Sequence, residues 1–316
     1  MADSSAAVGS PGVVGSLLAA GVDIGGTKIA VGLVDRAGAI VAQTSMPTEA
    51  ALGFERGVGR IVSAIDTLLN QVGHTRAALA GVGIGCAGPV HPGRGTIDNP
   101  HTLPTWDGVD IVTPLRLEFA LPAVLENDAD AAAVGEAYFG AGVGKRNVVM
   151  LTYGTGIGGG AVFAGKIYRG ALDTHPELGH VPCEPDGPDC YCGIRGCFES
   201  IASGTAISLA GAAAGLGDAR GVFAALAAGD AKAKSIVDRA LRATFTAVWS
   251  IQHTLLPERI ILGGGIADDH FELFAEAVRR AIDTATLNPR GATDVVRATL
   301  GNAAGIVGAA QLVRIG

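Results

Sequence analysis

Two stretches of the chain repeat one local pattern, and this repeat constrains the fold more than any other feature. Residues 22–31 (VDIGGTKIAV) and 151–160 (LTYGTGIGGG) each read as a strand, a turn of glycine and threonine, and a second strand. Glycine backbones in such turns let N–H groups approach a phosphate. Because each copy opens an α/β half, the repeat predicts a duplicated α/β fold with a nucleotide between its halves.

Each turn also has a simpler interpretation. In the first, Thr27 and Lys28 could add a hydroxyl and a positive charge to a phosphate site, and a plain hairpin turn is the alternative. The second contains a GxGxxG match, with Asp173 at roughly the distance of a dinucleotide fingerprint. That fingerprint requires a helix after the glycines, whereas 161–167 reads as a second hairpin, so we reject a dinucleotide site.

The other apolar segments alternate between strands and helices. A third glycine turn, 263–265, follows one of these strands, and 100–112 reads as an irregular loop. Strands are predicted at 17–23, 29–34, 80–84, 121–125, 147–152 and 259–262. Helices are predicted at 57–72, 129–139, 202–215, 231–256, 270–284 and 301–313.

Three of the five cysteines lie close together in a polar stretch broken by glycines: Cys190, Cys192 and Cys197. Three thiols and one imidazole complete a tetrahedral set for Zn²⁺, and closed sites of this composition are structural. We choose His180 as the fourth ligand, with Cys183 and His175 as competitors, and ordinary buried thiols as the alternative to any metal. A metal here would rigidify a loop that is poor in apolar residues.

The strand at 121–125 runs directly into Glu126, Asn127 and Asp128. Ligands of α/β sheets bind beyond the carboxyl ends of parallel strands, so a carboxylate here is a candidate for chemistry. The alternative is structural, because aspartate is a favoured N-cap and Asp128 precedes an alanine-rich helix.

Composition excludes several classes of protein. The 316 residues are 48% hydrophobic and 17% charged, which is enough for one or two packed domains, and no linker or charge run separates them. A net charge of −7 argues against a nucleic-acid surface. No stretch is long enough to span a membrane, and the first 21 residues lack the cationic lead of a signal peptide, so they read as a loose tail. Clustered thiols favour a reducing compartment, the cytoplasm.

Six motifs in order resemble the ROK family of sugar kinases and repressors, over nearly the whole chain from Val22. They are DIGGTK at 23–28, END at 126–128, GTGIGGG at 154–160, ExGH at 177–180, CxCGxxGCxE at 190–199 and GGG at 263–265. The resemblance implies an actin/hexokinase-type ATPase fold, with two α/β lobes around a cleft for Mg²⁺–ATP and sugar, and a structural zinc. It implies a small lobe at 22–127, a large lobe at 128–302, and a C-terminal helix, 303–316, that packs back on the small lobe.

The resemblance also implies roles for individual residues. Asp128 resembles the family's general base, which takes the proton of the sugar's primary hydroxyl. His180 would bind a sugar hydroxyl through one ring nitrogen and zinc through the other, on one helical face with Glu177. The implied sugar ligands are Gly88, Thr102, Asn127, Asp128, Glu177, His180 and Glu199. The implied ATP ligands are Asp23, Gly25, Gly26, Thr27, Lys28, Gly154, Thr155, Gly156, Gly263, Gly264 and Gly265. The implied zinc ligands are His180, Cys190, Cys192 and Cys197.

Glucose, converted to glucose 6-phosphate, is the expected acceptor, although two positions depart from glucokinase-like members. Thr102 stands where an asparagine is usual, with Asn99 three residues too early to replace it, and His175-Pro176 replaces Ala-Gly. N-acetylmannosamine, fructose or a C7 cyclitol are the alternative acceptors, and polyphosphate the alternative donor. A homodimer or homotetramer is typical of the family.

Two other classes of protein fit the sequence less well than a kinase. A non-catalytic regulator of the same family would need a DNA-binding helix-turn-helix ahead of Asp23, where 22 residues carry no lysine or arginine. A zinc-dependent hydrolase would need an open coordination position, which three thiols and His180 would close.

Overall fold

The computed structural model describes residues 18–100 and 102–315. The expected N-terminal tail, the first residue of the strand predicted at 17–23 and the last residue of the 303–316 helix therefore lie outside the described residues. Within them, none of the helices combines the length and the apolar character that crossing a bilayer requires.

The first half of the chain builds a five-stranded sheet in the order β3-β2-β1-β4-β8. β1, β2 and β3 are an antiparallel meander, and β4 and β8 add to β1 in parallel. Every residue of β4 is buried, as expected for a parallel strand covered on both faces. The elements are β1 (Leu18–Ile24), β2 (Lys28–Asp35), β3 (Ile40–Pro47), α1 (Phe54–Gln71), β4 (Leu79–Cys86), β5 (Val90–His91), β6 (Thr96–Ile97), β7 (Val109–Asp110), α2 (Val112–Phe119) and β8 (Ala123–Asn127).

The second half repeats this topology. Its sheet has the order β11-β10-β9-β12-β13, with β9, β10 and β11 antiparallel and β12 and β13 added to β9 in parallel. The elements are α3 (Asp128–Phe139), β9 (Asn147–Tyr153), β10 (Ile157–Phe163), β11 (Lys166–Ile167), α4 (Phe198–Ala202), α5 (Gly204–Ala214), α6 (Ala219–Ala227), α7 (Ala231–Thr254), β12 (Arg259–Gly263), α8 (Gly265–Asp269), α9 (Phe271–Thr284), β13 (Asp294–Arg297) and α10 (Ala304–Ile315). The duplicated α/β fold expected from the two glycine turns is confirmed.

The predicted strands and long helices are present, with ends that differ by a few residues. The interpretation of 100–112 as an irregular loop was incomplete, since β7 pairs there with β6 in a small three-stranded sheet. The elements missed were β3, β5, β6, β13, α2, α4, α6 and α8. β3 is an edge strand with mostly polar, exposed residues, so its sequence lacks the apolar signal on which the prediction depended.

α10 joins the two halves. It packs on α3 of the second half and on β1 and β4 of the first, and its small residues allow backbone contact rather than side-chain contact. A Cβ on Gly83 would lie 1.7 Å from the carbonyl oxygen of Ala309, and one on Gly21 would lie 2.0 Å from that of Ile306. This packing agrees with the expected return of the last helix to the small lobe, while the lobe boundary at 127/128 stays a prediction.

The tightest of these contacts predicts a large effect of one methyl group. In Gly308→Ala, the added Cβ would lie 1.6 Å from the carbonyl oxygen of Ala131 on α3, so the helices must separate. We expect a loss of at least about 1–3 kcal/mol in the free energy of unfolding, measured by urea denaturation.

Gly59→Ala is the matched control, because this exposed glycine in α1 has no atom within 4 Å of the new Cβ. Alanine there should stabilise the protein by about 0.5–1 kcal/mol. Equal stabilities of the two variants would contradict the proposed role of the α3–α10 contact.

Candidate active site

A cleft of about 950 Å³ opens where the strands of both sheets end. Residues from all three glycine turns and from the β8–α3 junction line it. Among the expected site residues, those lining the cleft are Asp23, Lys28, Gly88, Thr102, Asn127, Asp128, Gly154, Thr155, Gly156, Glu177, His180, Cys190, Glu199 and Gly264. The structure therefore gathers most of a set that is scattered along the sequence.

The first glycine turn closes on itself and is braced from outside. The Gly25 N–H donates to the carbonyl oxygen of Lys28 at 2.9 Å. Thr48, a buried residue just after β3, donates its hydroxyl to the Gly25 carbonyl at 2.6 Å and its N–H to the Thr27 carbonyl at 2.9 Å. Gly25, Gly26 and Thr27 thus shape the turn, while Asp23 and Lys28 face the cleft.

The second glycine turn is tied to α5 and to Glu199. The N–H groups of Gly204 and Thr205, in the first turn of α5, donate to the carbonyls of Gly154 and Thr155 at 2.9 and 3.1 Å. The Glu199 carboxylate accepts from the Ile157 N–H at 2.8 Å. A Cβ on Gly156 would meet this carboxylate at 2.5 Å, so only glycine fits beside it.

In the third glycine turn, Gly264 alone of the three glycines lines the cleft. Its φ of +88° is left-handed, and a Cβ there would lie 2.6 Å from the carbonyl oxygen of Tyr153. Gly263 ends β12 and Gly265 begins α8. Lining residues on this side that the sequence did not reveal are Ser203, Thr205, Asp268, Gly301 and Asn302.

The N-cap of α3 is Asn127 and not Asp128, which corrects the structural alternative for the aspartate. The Asn127 side chain accepts from the N–H groups of Ala129 and Asp130 at 2.8 and 3.4 Å. Asp128 is the first residue of the helix, with Oδ1 2.9 Å from the Ala129 N–H, and it lines the cleft. The helix N-terminus therefore stabilises its charge.

Burial raises the pKa of Asp128, and nearby Glu177 raises it further, while the Ala129 N–H and His175 oppose the shift. Burial also raises the pKa of Asp23 to about 6, helped by the negative charge of Asp128 and opposed by Lys28. Burial raises the pKa of Asp268 as well, so three carboxylates with raised pKa values line one cleft, a pattern typical of functional sites.

Glu126 is fully buried and has a structural role within the same triplet. One oxygen accepts from the Asn127 N–H at 2.9 Å, and the carboxylate forms an ion pair with Arg169, which follows β11 in the other half. Nearby Asp130 is also fully buried, and neither of its oxygens has a hydrogen-bond partner among the described residues. Sequence reasoning missed Arg169, since nothing local marks it as a partner of Glu126.

Glu177 lies between two imidazoles. Its oxygens are 3.4 Å from Nε2 of His175 and 3.9 Å from Nε2 of His180. The expected helical face is wrong in detail, because 178–180 is a single 3₁₀ turn that begins after Glu177. This tighter turn still places residues three apart on one side.

The expected metal ligands converge on one point. The ligand atoms of His180, Cys190, Cys192 and Cys197 all lie within 4.8 Å of one another. Nδ1 of His180 is 3.5 Å from the sulfur of Cys190 and 3.5 Å from that of Cys197. Tetrahedral Zn²⁺ with ordinary Zn–N and Zn–S distances separates these atoms by about 3.5 Å, so the residues fit zinc.

The two competing ligands lie outside this group. The thiol of Cys183 faces the carbonyl oxygens of Val181 and Ala243, each at 3.3 Å. His175 pairs with Glu177 instead. Since Nδ1 of His180 faces the thiols, its Nε2 faces the cleft.

The side chain of Asn99 holds Thr102 in position. Asn99 lies three residues too early in the sequence to stand in for the asparagine that is usual at position 102. The Asn99 amide donates to the Thr102 hydroxyl at 2.5 Å and to the Ala87 carbonyl at 3.0 Å, and its oxygen accepts from the Thr102 N–H at 2.9 Å. Asn99 is buried and lines the cleft together with Thr102. The two residues act as one unit. Gly88 also lines the cleft, and a Cβ there would lie 2.7 Å from the Asn127 amide nitrogen, so a larger residue would displace that side chain.

The duplicated sheets and the cleft at their carboxyl ends define the actin/hexokinase-type class of ATPases. The model of the ROK family matches residues 19–315. The chain therefore belongs to the ROK family, as its six motifs predicted.

Relatives and solved structures agree with this assignment. A glucokinase from Thermotoga maritima is 37% identical over 93% of this chain and 96% of its own length. An N-acetylmannosamine kinase from Escherichia fergusonii is 31% identical over 93% of this chain and 97% of its own. The chain resembles a ROK hexokinase from Thermus thermophilus, with a TM-score of 0.84 and 34% identity, over 95% of this chain and 100% of that one.

A second solved structure carries ligands. It is a ROK family glucokinase from Streptomyces griseus in complex with glucose and AMPPNP. The TM-score is 0.74 and the identity 33%, over 95% of this chain and 100% of that one. These likenesses confirm the expected fold class.

Cys192→Ser should abolish stoichiometric zinc binding, because a hydroxyl is a poor zinc ligand in a site of three thiols and an imidazole. Sugar affinity should fall with it, since His180 loses its anchor. Cys183→Ser, a nearby thiol outside the ligand set, should retain zinc. Zinc content by elemental analysis and sugar binding by calorimetry test this, and a folded, fully active metal-free wild type would contradict it.

The rate should also depend on pH. Asp128 accepts a proton only when ionised, and its raised pKa means that it protonates above the ordinary value of 3.8. If Asp128 is the general base, as the family resemblance predicts, kcat/KM should fall as pH falls through a midpoint above 3.8, and Asp23, whose pKa is raised to about 6, also titrates on the acid side. The residual rate of Asp128→Asn should lack this fall, and a wild-type profile with no acid midpoint above pH 3.8 would contradict the assignment.

Proposed function

We propose that this protein transfers the γ-phosphoryl group of ATP to the primary hydroxyl of glucose, forming glucose 6-phosphate. The observation that carries the proposal is the position of Asp128, between the glycine turns of both halves and beside Asn127, Glu177 and Glu199 in one cleft. Glucokinase relatives and the glucose- and AMPPNP-bound neighbour support the acceptor and the donor. The expected enzyme class, a phosphotransferase with an alcohol group as acceptor, is confirmed by the sugar kinases among its relatives.

Asp128 is the proposed general base. Its carboxylate takes the proton of the primary hydroxyl while the oxygen attacks the γ-phosphorus in line with the leaving ADP oxygen. A raised pKa makes the carboxylate a better proton acceptor. Catalysis here depends mainly on positioning and charge stabilisation, and α3 fixes the position of the base.

The sugar is held on one side of this base and ATP on the other. Asn127, Glu177, His180 and Glu199 face the cleft and offer hydrogen bonds to sugar hydroxyls, with Gly88 and Thr102 completing that wall. We assign the phosphates and the adenosine to the three glycine turns, including Gly25, Gly26, Thr27, Gly263 and Gly265, which shape them. Lys28 supplies a positive charge.

Two metal ions belong to the proposal. Mg²⁺ would come with ATP and neutralise charge on the phosphates, and Asp23, the carboxylate that lines the cleft beside the first glycine turn, would help to hold it. A structural Zn²⁺ would be held by His180, Cys190, Cys192 and Cys197, where it fixes the loop and the orientation of the imidazole.

N-acetylmannosamine is the second candidate acceptor. The N-acetylmannosamine kinase relative favours it, and a threonine at position 102 is similar to such kinases. Fructose has only His175-Pro176 in its favour, a pair similar to that of fructokinase-like members, and no contact among the described residues favours a C7 cyclitol. Five free thiols suit a reducing compartment, and we propose the cytoplasm, with the protein as a homodimer or homotetramer.

An ADP-release assay with Mg²⁺–ATP and a panel of acceptors tests the function. The panel is glucose, mannose, fructose, N-acetylmannosamine, N-acetylglucosamine and a C7 cyclitol. A preference for glucose supports the proposal, and turnover of the acetamido sugar alone would replace it. Polyphosphate in place of ATP tests the donor.

Asp128→Asn should reduce kcat by about 10²–10⁴-fold, because amide nitrogen and oxygen cannot accept the hydroxyl proton. Asparagine keeps the size of the side chain, so glucose affinity measured by calorimetry should change little. Asp269→Asn, an aspartate at the end of α8 that does not line the cleft, is the matched control and should keep full activity. A kcat near that of the wild type would exclude Asp128 as the base.

A further inference from the structure

Tyr191 lies between two of the candidate zinc ligands, Cys190 and Cys192, and its side chain projects into the cleft. It is 77% exposed, which is unusual for a tyrosine ring, so packing does not hold it in place. Its hydroxyl is 3.1 Å from Nε2 of His180, and the two rings meet edge to face with centroids 5.0 Å apart. A polar contact therefore sets the position of this side chain.

The hydrogen-bond directions follow from the histidine. Because Nδ1 of His180 faces the thiols at 3.5 Å, its proton is on Nε2 when Nδ1 binds a metal. Nε2 then donates to the Tyr191 oxygen, and the phenol is left with its own O–H to donate. The Glu199 carboxylate accepts that bond. The chain of hydrogen bonds runs from His180 through Tyr191 to Glu199.

A sugar hydroxyl has the same ability to accept one hydrogen bond and donate another. The phenol hydroxyl of Tyr191 thus bridges His180 and Glu199, two groups that we assign to the sugar. It accepts from the first and donates to the second, as a sugar hydroxyl would. The Glu199 carboxylate also accepts from the Ile157 N–H at 2.8 Å, so it is fixed in place and cannot follow the phenol if the phenol leaves. The hydroxyl of Tyr191 and an incoming hydroxyl therefore compete for one position.

We propose that Tyr191 is a specificity-determining residue whose hydroxyl occupies the place of a sugar hydroxyl on His180 and Glu199 in the sugar-free protein, and which the acceptor must displace. The inference rests on the proposed function. An acceptor with a hydroxyl at this position replaces the hydrogen bonds that His180 and Glu199 lose when Tyr191 leaves. An acceptor without that hydroxyl leaves the histidine and the carboxylate unpaired. Tyr191 thus selects against acceptors without that hydroxyl.

Tyr191→Phe tests the proposal, because it keeps the ring and removes only the competing hydroxyl. A water molecule would then hydrogen-bond to His180 and Glu199, and the sugar would displace it more easily than a phenol that is attached to the chain. One net hydrogen bond corresponds to about a 3- to 10-fold change in binding. We expect KM and the calorimetric Kd for glucose to fall by that factor, with kcat and zinc content unchanged.

Tyr168→Phe is the matched control, since this tyrosine is 42% exposed, packs on Phe163 and does not line the cleft. It should leave KM and Kd unaltered. If the wild type phosphorylates glucose while Tyr191→Phe has an unchanged or higher KM, the displacement proposal is overturned and the function stands. A zinc-loaded wild type that neither binds nor phosphorylates any sugar of the panel overturns the function, and this inference with it.

Discussion

Backbone contact between α10 and α3 is the constraint on which the rest of the site depends. A Cβ on Gly135 would lie 2.5 Å from the carbonyl oxygen of Ala304, so neither helix can carry a larger residue at the crossing. Asp128 begins α3, and a Cβ on Gly305 in the first turn of α10 would meet the Asp23 carboxylate at 2.8 Å. Because α3 and α10 pack in backbone contact, the elements that carry Asp128 and contact Asp23 are held in place relative to each other. Rigid elements give a catalytic geometry that loops alone cannot hold.

This arrangement also explains the electrostatics of the cleft. Burial raises the pKa of both Asp23 and Asp128, and neighbouring groups oppose each shift, Lys28 for Asp23 and the Ala129 N–H together with His175 for Asp128. The helix N-terminus and the Ala129 N–H add to the stabilisation of the ionised base. A raised pKa makes the Asp128 carboxylate a stronger proton acceptor, which is the property that its proposed role as general base requires.

The sequence predicted what depends on local pattern and missed what depends on distant contact. The hairpins around the glycine turns, the clustered thiols and the carboxylate after β8 each have a signature within a few residues. The ion pair between Glu126 and Arg169 and the bond from Thr48 to Gly25 join residues far apart in the chain, and no spacing rule finds them. The choice of N-cap between Asn127 and Asp128 was ambiguous for another reason. Both residues are favoured caps, and only the last strand pairing, Cys86 with Asn127, settles where the helix begins.

The proposed phosphate site and the proposed acceptor site depend on different parts of the fold. In the proposed function the duplicated hairpins hold the phosphates, and their geometry depends on glycine, so we expect them to contribute little to the choice of acceptor. The cleft residues that we assign to the acceptor lie mainly on three irregular segments. These are the segment around Asn99 and Thr102, the segment around His175 and Glu177, and residues 190–199. None of these is held by a sheet. Each depends on a polar anchor, namely the Asn99 amide, the carboxylate between two imidazoles and the Cys₃His cluster. Acceptor specificity can therefore change through these anchors and through Tyr191 while the two sheets and the phosphate turns stay the same.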